Sequence, residues 1–236
     1  MTAPGTKRLR VVQVIPTLKR GGLEHVAARL SVALVPHVER IVVCSSGGDP
    51  YSQVVREAGI PIEYMPRPWP RPVPLGRAAL AIARVLRRER PHVVHAHNPA
   101  ASAAAALARR LARMPETAIV STHHGVAPSR LGRANRALAL SADVVVGVGP
   151  STTRALVEAG FPPDRTRTIF NAVDAQPTRT SAAVREEFAA GGVPLIVSVG
   201  RYFTEKNQEL LLAALSRLDR PFKALLVGQG PLEGQR

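Results

Sequence analysis

Aromatic residues and cysteines are scarce in this chain of 236 residues. Phe, Trp and Tyr make up only 4% of it, so its core has to be packed mainly by Ala, Leu and Val. The lone cysteine, Cys44, excludes an internal disulfide and fits a reducing compartment. It lies in the apolar stretch IVVC, which predicts a small buried side chain and not a nucleophile.

Long hydrophobic runs are missing as well. The basic N-terminal stretch KRLRVVQVIP contains an apolar run too short for a secretory signal, and no run approaches the roughly 20 apolar residues of a membrane span. We therefore expect a cytoplasmic protein. Peripheral contact with the inner face of the membrane is a second expectation, because GRAALAIARVLRRERP (76–91) combines an apolar face with a basic end. An ordinary surface helix that packs on a sheet would show the same pattern.

The formal charge of +15 has three possible origins. The first is biased codon use, through which arginine fills ordinary solvated positions. It accounts for basic residues scattered along the whole chain. An anionic partner is the second origin. A nucleic-acid-binding surface is the third, but the nine aromatic residues form no recognisable stacking motif.

Short β-rich runs alternate with helical patterns along the chain. Nearly continuous apolar strands of this kind are typical of a parallel sheet covered on both faces. The sequence therefore predicts a doubly wound, Rossmann-like α/β domain over 1–172. A linker and connecting helix follow at 173–193, and the strand–helix alternation restarts at 194–236. Because this last part holds only about two strands, we expect an incomplete second domain and a truncated chain.

Two glycine-containing turns carry cations at the start of a helix. PTLKRGGLEHV places Gly21 and Gly22 after the first strand, and SVGRYFTEKNQELLLAAL places Arg201 and Lys206 after a later one. Free N–H groups at a helix N-terminus favour phosphate, and nearby cations strengthen that preference. The two turns predict diphosphate binding, with solvated cations as the plain alternative.

Histidines cluster where two neighbouring strands end. VVHAHN contributes His95, His97 and Asn98, and STHHG contributes His123 and His124. Neutral imidazoles donate and accept hydrogen bonds, which suits the hydroxyl groups of a sugar. A zinc site is a weaker alternative, because no acidic or thiol ligand accompanies these histidines at a recognisable spacing. Walker and Asp-x-Asp motifs are absent from the sequence.

Six motifs in succession resemble the retaining GT-B glycosyltransferases of family four. They are RGGLEHVAARLSVAL, RPHVVHAHN, VSTHHGV, the stretch ending in FNAVD, SVGRYFTEKNQ and LLVGQGPL. The resemblance implies a metal-independent enzyme without a cofactor that moves a sugar from a nucleotide-sugar to a sugar, glycan or lipid-linked acceptor. It further implies that Gly21 and Gly22 approach the donor diphosphate.

Site roles are also carried over from this resemblance. Arg201 and Lys206 would bind the diphosphate from a second domain. Together with His124, they would be the catalytic groups. The remaining polar residues at the strand ends would contact the sugar or the acceptor; they are His95, His97, Asn98 and His123.

Two departures from the family pattern stand out. Ala172 replaces the glycine of Asn-Gly-Val-Asp, and the Glu-x7-Glu segment does not occur within the 236 residues. We therefore expect this product to have weak activity or none. A non-catalytic fragment that binds an acceptor or a membrane lipid is the main alternative.

Overall fold

A computed structural model describes residues 8–68, 71–125, 128–172, 181–188 and 190–230, without the side chains of 128–130, 181 and 205. The chain divides into two compact units, residues 1–173 (unit 1) and 174–236 (unit 2). Trp69, the only tryptophan, lies in the proline-rich segment MPRPWPRPVP, where the sequence favours packing against its own loop over a surface anchor; it lies outside the described residues.

Unit 1 is built on a parallel sheet of seven strands in the order β3-β2-β1-β4-β5-β6-β7. The strands are β1 (Arg10–Val14), β2 (Arg40–Ser45), β3 (Ile62–Tyr64), β4 (Val93–Ala96), β5 (Ala118–His123), β6 (Val144–Gly147) and β7 (Thr166–Thr168). The strand order reverses direction between β1 and β4. This is the doubly wound α/β topology that the sequence predicts, and it places ligand sites beyond the carboxyl ends of these two strands.

In the described part of unit 1, six α-helices connect the strands. They are α1 (Gly22–Leu34), α2 (Tyr51–Glu57), α3 (Pro72–Glu89), α4 (Pro99–Ala112), α5 (Pro128–Ser141) and α6 (Pro150–Glu158). Short 3-10 turns follow at Val35–His37 and Pro163–Arg165. None of the described helices combines the length and apolar composition needed to cross a membrane.

Two separate cores pack the faces of this sheet. On one face, Val12, Val14 and Ile119 lie against apolar side chains of α3, α4 and α5, many of them alanines. On the other, Val11 and Ile15 lie against α1 and α2. Cys44 is fully buried in the first core, and burial raises the pKa of its thiol to about 12, with Glu63 contributing. This confirms the prediction of a structural cysteine.

The proline-rich segment MPRPWPRPVP (65–74) predicts an extended loop, because proline fixes φ and lacks an N–H, but its last residues are helical. Helix α3 begins at Pro72, with Arg71 extended just before it. Proline is favoured in the first helical turn because its missing N–H would be unpaired there in any case. The last residues of the segment therefore belong to the helix.

Unit 2 contains a two-stranded parallel sheet, β8 (Leu195–Val199) and β9 (Lys223–Val227). Two helices, α7 (Ser181–Glu187) and α8 (Gln208–Leu215), and a 3-10 turn at Thr204–Lys206 accompany it. Several apolar side chains of this unit are exposed in the described structure, with Val199 at 76% and Leu210 at 63%.

Candidate functional site

A polar stripe crosses the middle of the unit 1 sheet. Gln13 of β1 stands in register with His95 of β4, on the face that also carries Val11 and Ile15. His97 follows β4 directly, and its backbone N–H donates to the carbonyl of Val14 at 3.2 Å. These residues lie at the switch point of the sheet, where α/β proteins bind their ligands.

Three imidazole rings lie side by side at this point. The ring centroids of His95 and His97 are 4.3 Å apart, and those of His97 and His124 are 5.9 Å apart. Nε2 of His97 lies 2.7 Å from Oε1 of Gln13, and Nε2 of His95 lies 2.7 Å from Oγ1 of Thr122. We call His95, His97 and His124 the histidine cluster.

The histidine cluster is held in its neutral form. Burial, with a contribution from His124, lowers the pKa of His95 from 6.5 to about 4. Burial, with a contribution from His123, does the same for the pKa of His124. The pKa of His97 lies well below its usual value because the ring is buried and has two imidazole neighbours. At neutral pH each ring therefore has one N–H donor and one acceptor nitrogen.

Three nitrogen atoms of this region are buried without a hydrogen-bond partner among the described residues. They are Nε2 of Gln13, Nδ1 of His97 and Nε2 of His124. A buried polar atom left unpaired costs about 1–3 kcal/mol. Hydroxyl groups of a bound ligand, which both donate and accept, would satisfy such atoms.

Two residues that the sequence groups with this cluster are placed differently. Thr122 shares the face of His95, so the alternation along β5 directs His123 to the opposite face. Asn98 caps α4, since its Oδ1 accepts a 2.7 Å hydrogen bond from the N–H of Ala101. The structure thus gives Asn98 a clear local role at a helix start.

The first glycine turn leads into α1. A Cβ atom at Gly21 would overlap the carboxylate of Glu24, whereas one at Gly22 would meet nothing within 4 Å. Glu24 also accepts a 3.0 Å hydrogen bond from Oγ1 of Thr17. The carboxylate of Glu24 therefore lies at the N-terminus of α1. An anion is favoured there by the helix dipole.

The second glycine turn, in unit 2, differs from the sequence expectation in one respect. Lys206 does not open the helix: it ends the 3-10 turn, and Asn207, in the left-handed conformation at φ 51°, separates it from α8. A cation at the end of a turn is electrostatically favourable, because carbonyl groups are exposed there. Lys206 therefore lies outside α8, directly before its N-cap residue Asn207.

Arg201 and Lys206 are both exposed, and neither forms an ion pair with a described residue. The Arg201 guanidinium lies 4.6 Å from the ring centroid of Phe203. The side chain of Lys206 runs past Gly200, with Cδ 3.8 Å from where a Cβ would stand. Among the side chains that the structure describes, neither positive charge at the carboxyl end of β8 is neutralised by a carboxylate.

Backbone packing fixes the shape of this second turn. A Cβ at Gly228 would overlap the carbonyl oxygen of Gly200, and one at Gly230 would overlap the backbone of Tyr202. The N–H of Tyr202 donates to the carbonyl of Gln229 at 3.0 Å. The glycines of VGQGP therefore allow two strand-end loops to lie directly against each other.

Across the described residues, no group of three or more His, Cys, Asp and Glu side chains is arranged to hold a metal ion. Sequence reasoning missed Gln13 and Thr122, the hydrogen-bond partners of the histidine cluster. A signal for Gln13 was present, since it is the polar residue inside the apolar strand RVVQV. Thr122 offered none, because threonine is common in strands.

Solved structures share this fold over nearly the whole chain. Anabaena HepE, crystallised in complex with UDP and glucose, superposes with a TM-score of 0.78 at 18% identity, over 96% of this chain and 63% of its own. Sucrose-phosphate synthase from Thermosynechococcus elongatus gives a TM-score of 0.70 at 17% identity, over 97% and 64%. A glycosyltransferase from Rickettsia africae gives 0.68 at 19% identity, over 94% and 61%.

These matches define the fold as the doubly wound α/β architecture of the GT-B type, as the sequence motifs predict. The family model for Glycosyltransferase Family 4 matches residues 20–177. The chain therefore belongs to Glycosyltransferase Family 4. It spans about 63% of the length of HepE, and no curated protein matches it in sequence.

Proposed function

We propose that the protein acts in the retaining transfer of a sugar from a nucleotide-sugar to a hydroxyl acceptor, without a metal ion. The histidine cluster, with its buried and unpaired ring nitrogens, is the observation that carries this proposal. Family membership and the UDP and UDP-glucose complexes of HepE support a nucleoside diphosphate sugar as the donor.

In this proposal the histidine cluster binds hydroxyl groups of the sugar and the acceptor. His124 lies next to the reacting sugar, and its unpaired Nε2 forms a hydrogen bond with a hydroxyl. In this proposal His95 and His97 offer further hydrogen-bonding groups to the same ligand. Because all three rings are neutral, they orient hydroxyl groups and do not serve as strong acids at neutral pH.

Arg201 and Lys206 bind the diphosphate of the donor. Negative charge develops on the departing nucleoside diphosphate, and fixed cations lower the energy of that transition state. Within unit 1, the backbone at Gly21 and Gly22 is a second candidate for contact with the donor diphosphate; the Glu24 carboxylate lies beside Gly21 in the structure. Asn98 and His123 support the acceptor side.

Calorimetric titration with UDP and with UDP-glucose tests the donor class. Replacing Arg201 or Lys206 by Ala removes a charge-assisted contact worth about 1.5–3 kcal/mol, so we expect affinity to fall roughly 10- to 100-fold. Arg217→Ala, which removes an exposed arginine just after α8, is the matched control and should leave affinity unchanged. Equal affinity in all four proteins, or no binding by the unaltered chain, would contradict the proposal.

Retention has its own test. In a reaction that transfers sugar, the anomeric proton of the product is read by NMR and compared with that of the donor. The same anomeric configuration is expected, and an inverted one would refute the retaining assignment.

We also propose that the outer surface of α3 contacts anionic lipid. Val73 and Leu80 are 70% and 50% exposed there, beside the exposed Arg77 and Arg84. Exposed apolar side chains flanked by arginines match the boundary of an acidic membrane. Sedimentation with vesicles containing phosphatidylglycerol should fall for Arg77→Glu/Arg84→Glu.

Vesicles of phosphatidylcholine alone provide the lipid control for this test. Arg56→Glu/Arg217→Glu provides the protein control, because it makes the same change in charge at exposed positions outside α3. Equal loss of sedimentation in both double variants would show that only net charge matters and would refute a surface specific to α3.

A further inference from the structure

Gln13 is a polar side chain buried completely in the middle of an apolar strand. Its neighbours along β1, Val12 and Val14, both point into the opposite core. Burying an amide is costly unless it is hydrogen-bonded. Its described side-chain contact is the 2.7 Å hydrogen bond between Oε1 and Nε2 of His97.

This hydrogen bond decides where His97 carries its proton. An amide oxygen can only accept, so Nε2 of His97 must be the donor. A neutral imidazole has a single N–H, which leaves Nδ1 with a free lone pair. That Nδ1 atom is buried and meets no donor among the described residues.

We propose that Gln13 is a positioning residue that fixes His97 as the Nε2–H tautomer and so presents Nδ1 as a hydrogen-bond acceptor to a ligand hydroxyl. The tautomer follows from the placement of Oε1 of Gln13, and not of its Nε2, against the ring. The hydroxyl ligand rests on the proposed function, because a sugar or acceptor must supply it.

The surroundings of His97 favour one fixed tautomer over rapid exchange. Exchange between tautomers needs a donor and an acceptor at both ring nitrogens, and only Nε2 has a described partner. The titratable groups placed against the ring are the imidazoles of His95 and His124, and both oppose a positive charge on it. Its backbone is also held, through the hydrogen bond to Val14.

Nitrogen-15 NMR of the imidazole rings near neutral pH tests the tautomer. The pattern of ring cross-peaks distinguishes Nε2–H from Nδ1–H, and His97→Gln identifies the relevant signals by their loss. We expect His97 to be Nε2–H in the unaltered chain and in Gln13→Glu, which keeps an acceptor oxygen. In Gln13→Met, which keeps the length but removes the acceptor, the share of the Nε2–H tautomer should fall.

Thr122→Val is the matched control for this experiment. It removes the side-chain partner of His95 and should move the signals of His95 but not the tautomer of His97. An Nδ1–H tautomer in the unaltered chain would overturn the proposal, and this result needs no variant to fold. An unchanged Nε2–H tautomer in Gln13→Met would overturn it as well.

Titration with UDP and UDP-glucose tests the role of Nδ1. One neutral hydrogen bond contributes about 1 kcal/mol, so Gln13→Met should reduce the preference for UDP-glucose over UDP roughly fivefold, with UDP affinity unchanged. Thr166→Val, which removes a β7 hydroxyl that donates to the carbonyl of Pro162 outside the histidine cluster, is the matched control and should leave this preference unchanged.

The two levels of the inference can fail separately. An unchanged preference in Gln13→Met would refute the acceptor role of Nδ1. If the unaltered chain bound neither nucleotide, the proposed function and this acceptor role would fall together, whereas the tautomer would still be decided by NMR.

Discussion

Acidification should destabilise unit 1 through the histidine cluster. The pKa of His95 is lowered from 6.5 to about 4 in the folded chain. As the pH falls, the unfolded chain therefore takes up this proton first, and the equilibrium shifts toward unfolding. The stabilisation is fully present above about pH 6.5 and is lost progressively as the pH falls toward 4. Between about pH 7.5 and about pH 5, His95 alone accounts for a loss of about 2 kcal/mol.

Urea denaturation of the unaltered chain and of His95→Gln, at both pH values, measures this contribution. Circular dichroism is a suitable signal because most described helices belong to unit 1. Glutamine cannot titrate, so the variant should lose about 2 kcal/mol less on acidification than the unaltered chain. Equal losses would refute the reasoning. Titration of the His95 ring proton by NMR gives an independent check, because the ring should stay neutral down to about pH 4.

Three further predictions concern other parts of the chain. Gly228→Ala should destabilise unit 2 by about 1–3 kcal/mol, because the added Cβ overlaps the Gly200 carbonyl. Gly192→Ala is the control: its Cβ would meet open space, so it should cost far less stability in the same urea experiment. Asn98→Ala should cost about 1 kcal/mol of stability through loss of the α4 cap, and Asn98→Asp should restore most of it; a larger loss of sugar affinity than of stability would show a binding role as well. Cys44 should react with a thiol reagent only on unfolding, since burial raises its pKa to about 12, and rapid labelling of the folded chain would contradict this.

Much of unit 1 could be predicted because its strands are buried on both faces. Apolar runs such as IVVC and VVHA then carry a strong signal, and the structure places them in β2 and β4. The limits of the elements were harder to predict. Helix α3 begins inside a proline-rich segment, and Lys206 ends a 3-10 turn, because local capping geometry decides such boundaries by small energies.

The sequence predicted which residues form the candidate site, but only part of how their side chains are arranged. Sequence motifs indicated that the histidines and the two cations mattered. The strand ends predicted that His95, His97 and His124 cluster. The separation of His123 onto the other face and the cap formed by Asn98 were not predicted. The Glu24 carboxylate at the start of α1 was not anticipated either.

The sequence alone determined the doubly wound α/β fold, the family and the burial of Cys44, because hydrophobic periodicity and motif order are local properties of the chain. Only the tertiary structure decided which polar atoms meet. Gln13 and His97 are distant in sequence, and their hydrogen bond exists because β1 and β4 pair in one particular register. The same packing excludes water from the histidine cluster, and this desolvation, more than the histidine residues themselves, keeps the rings neutral.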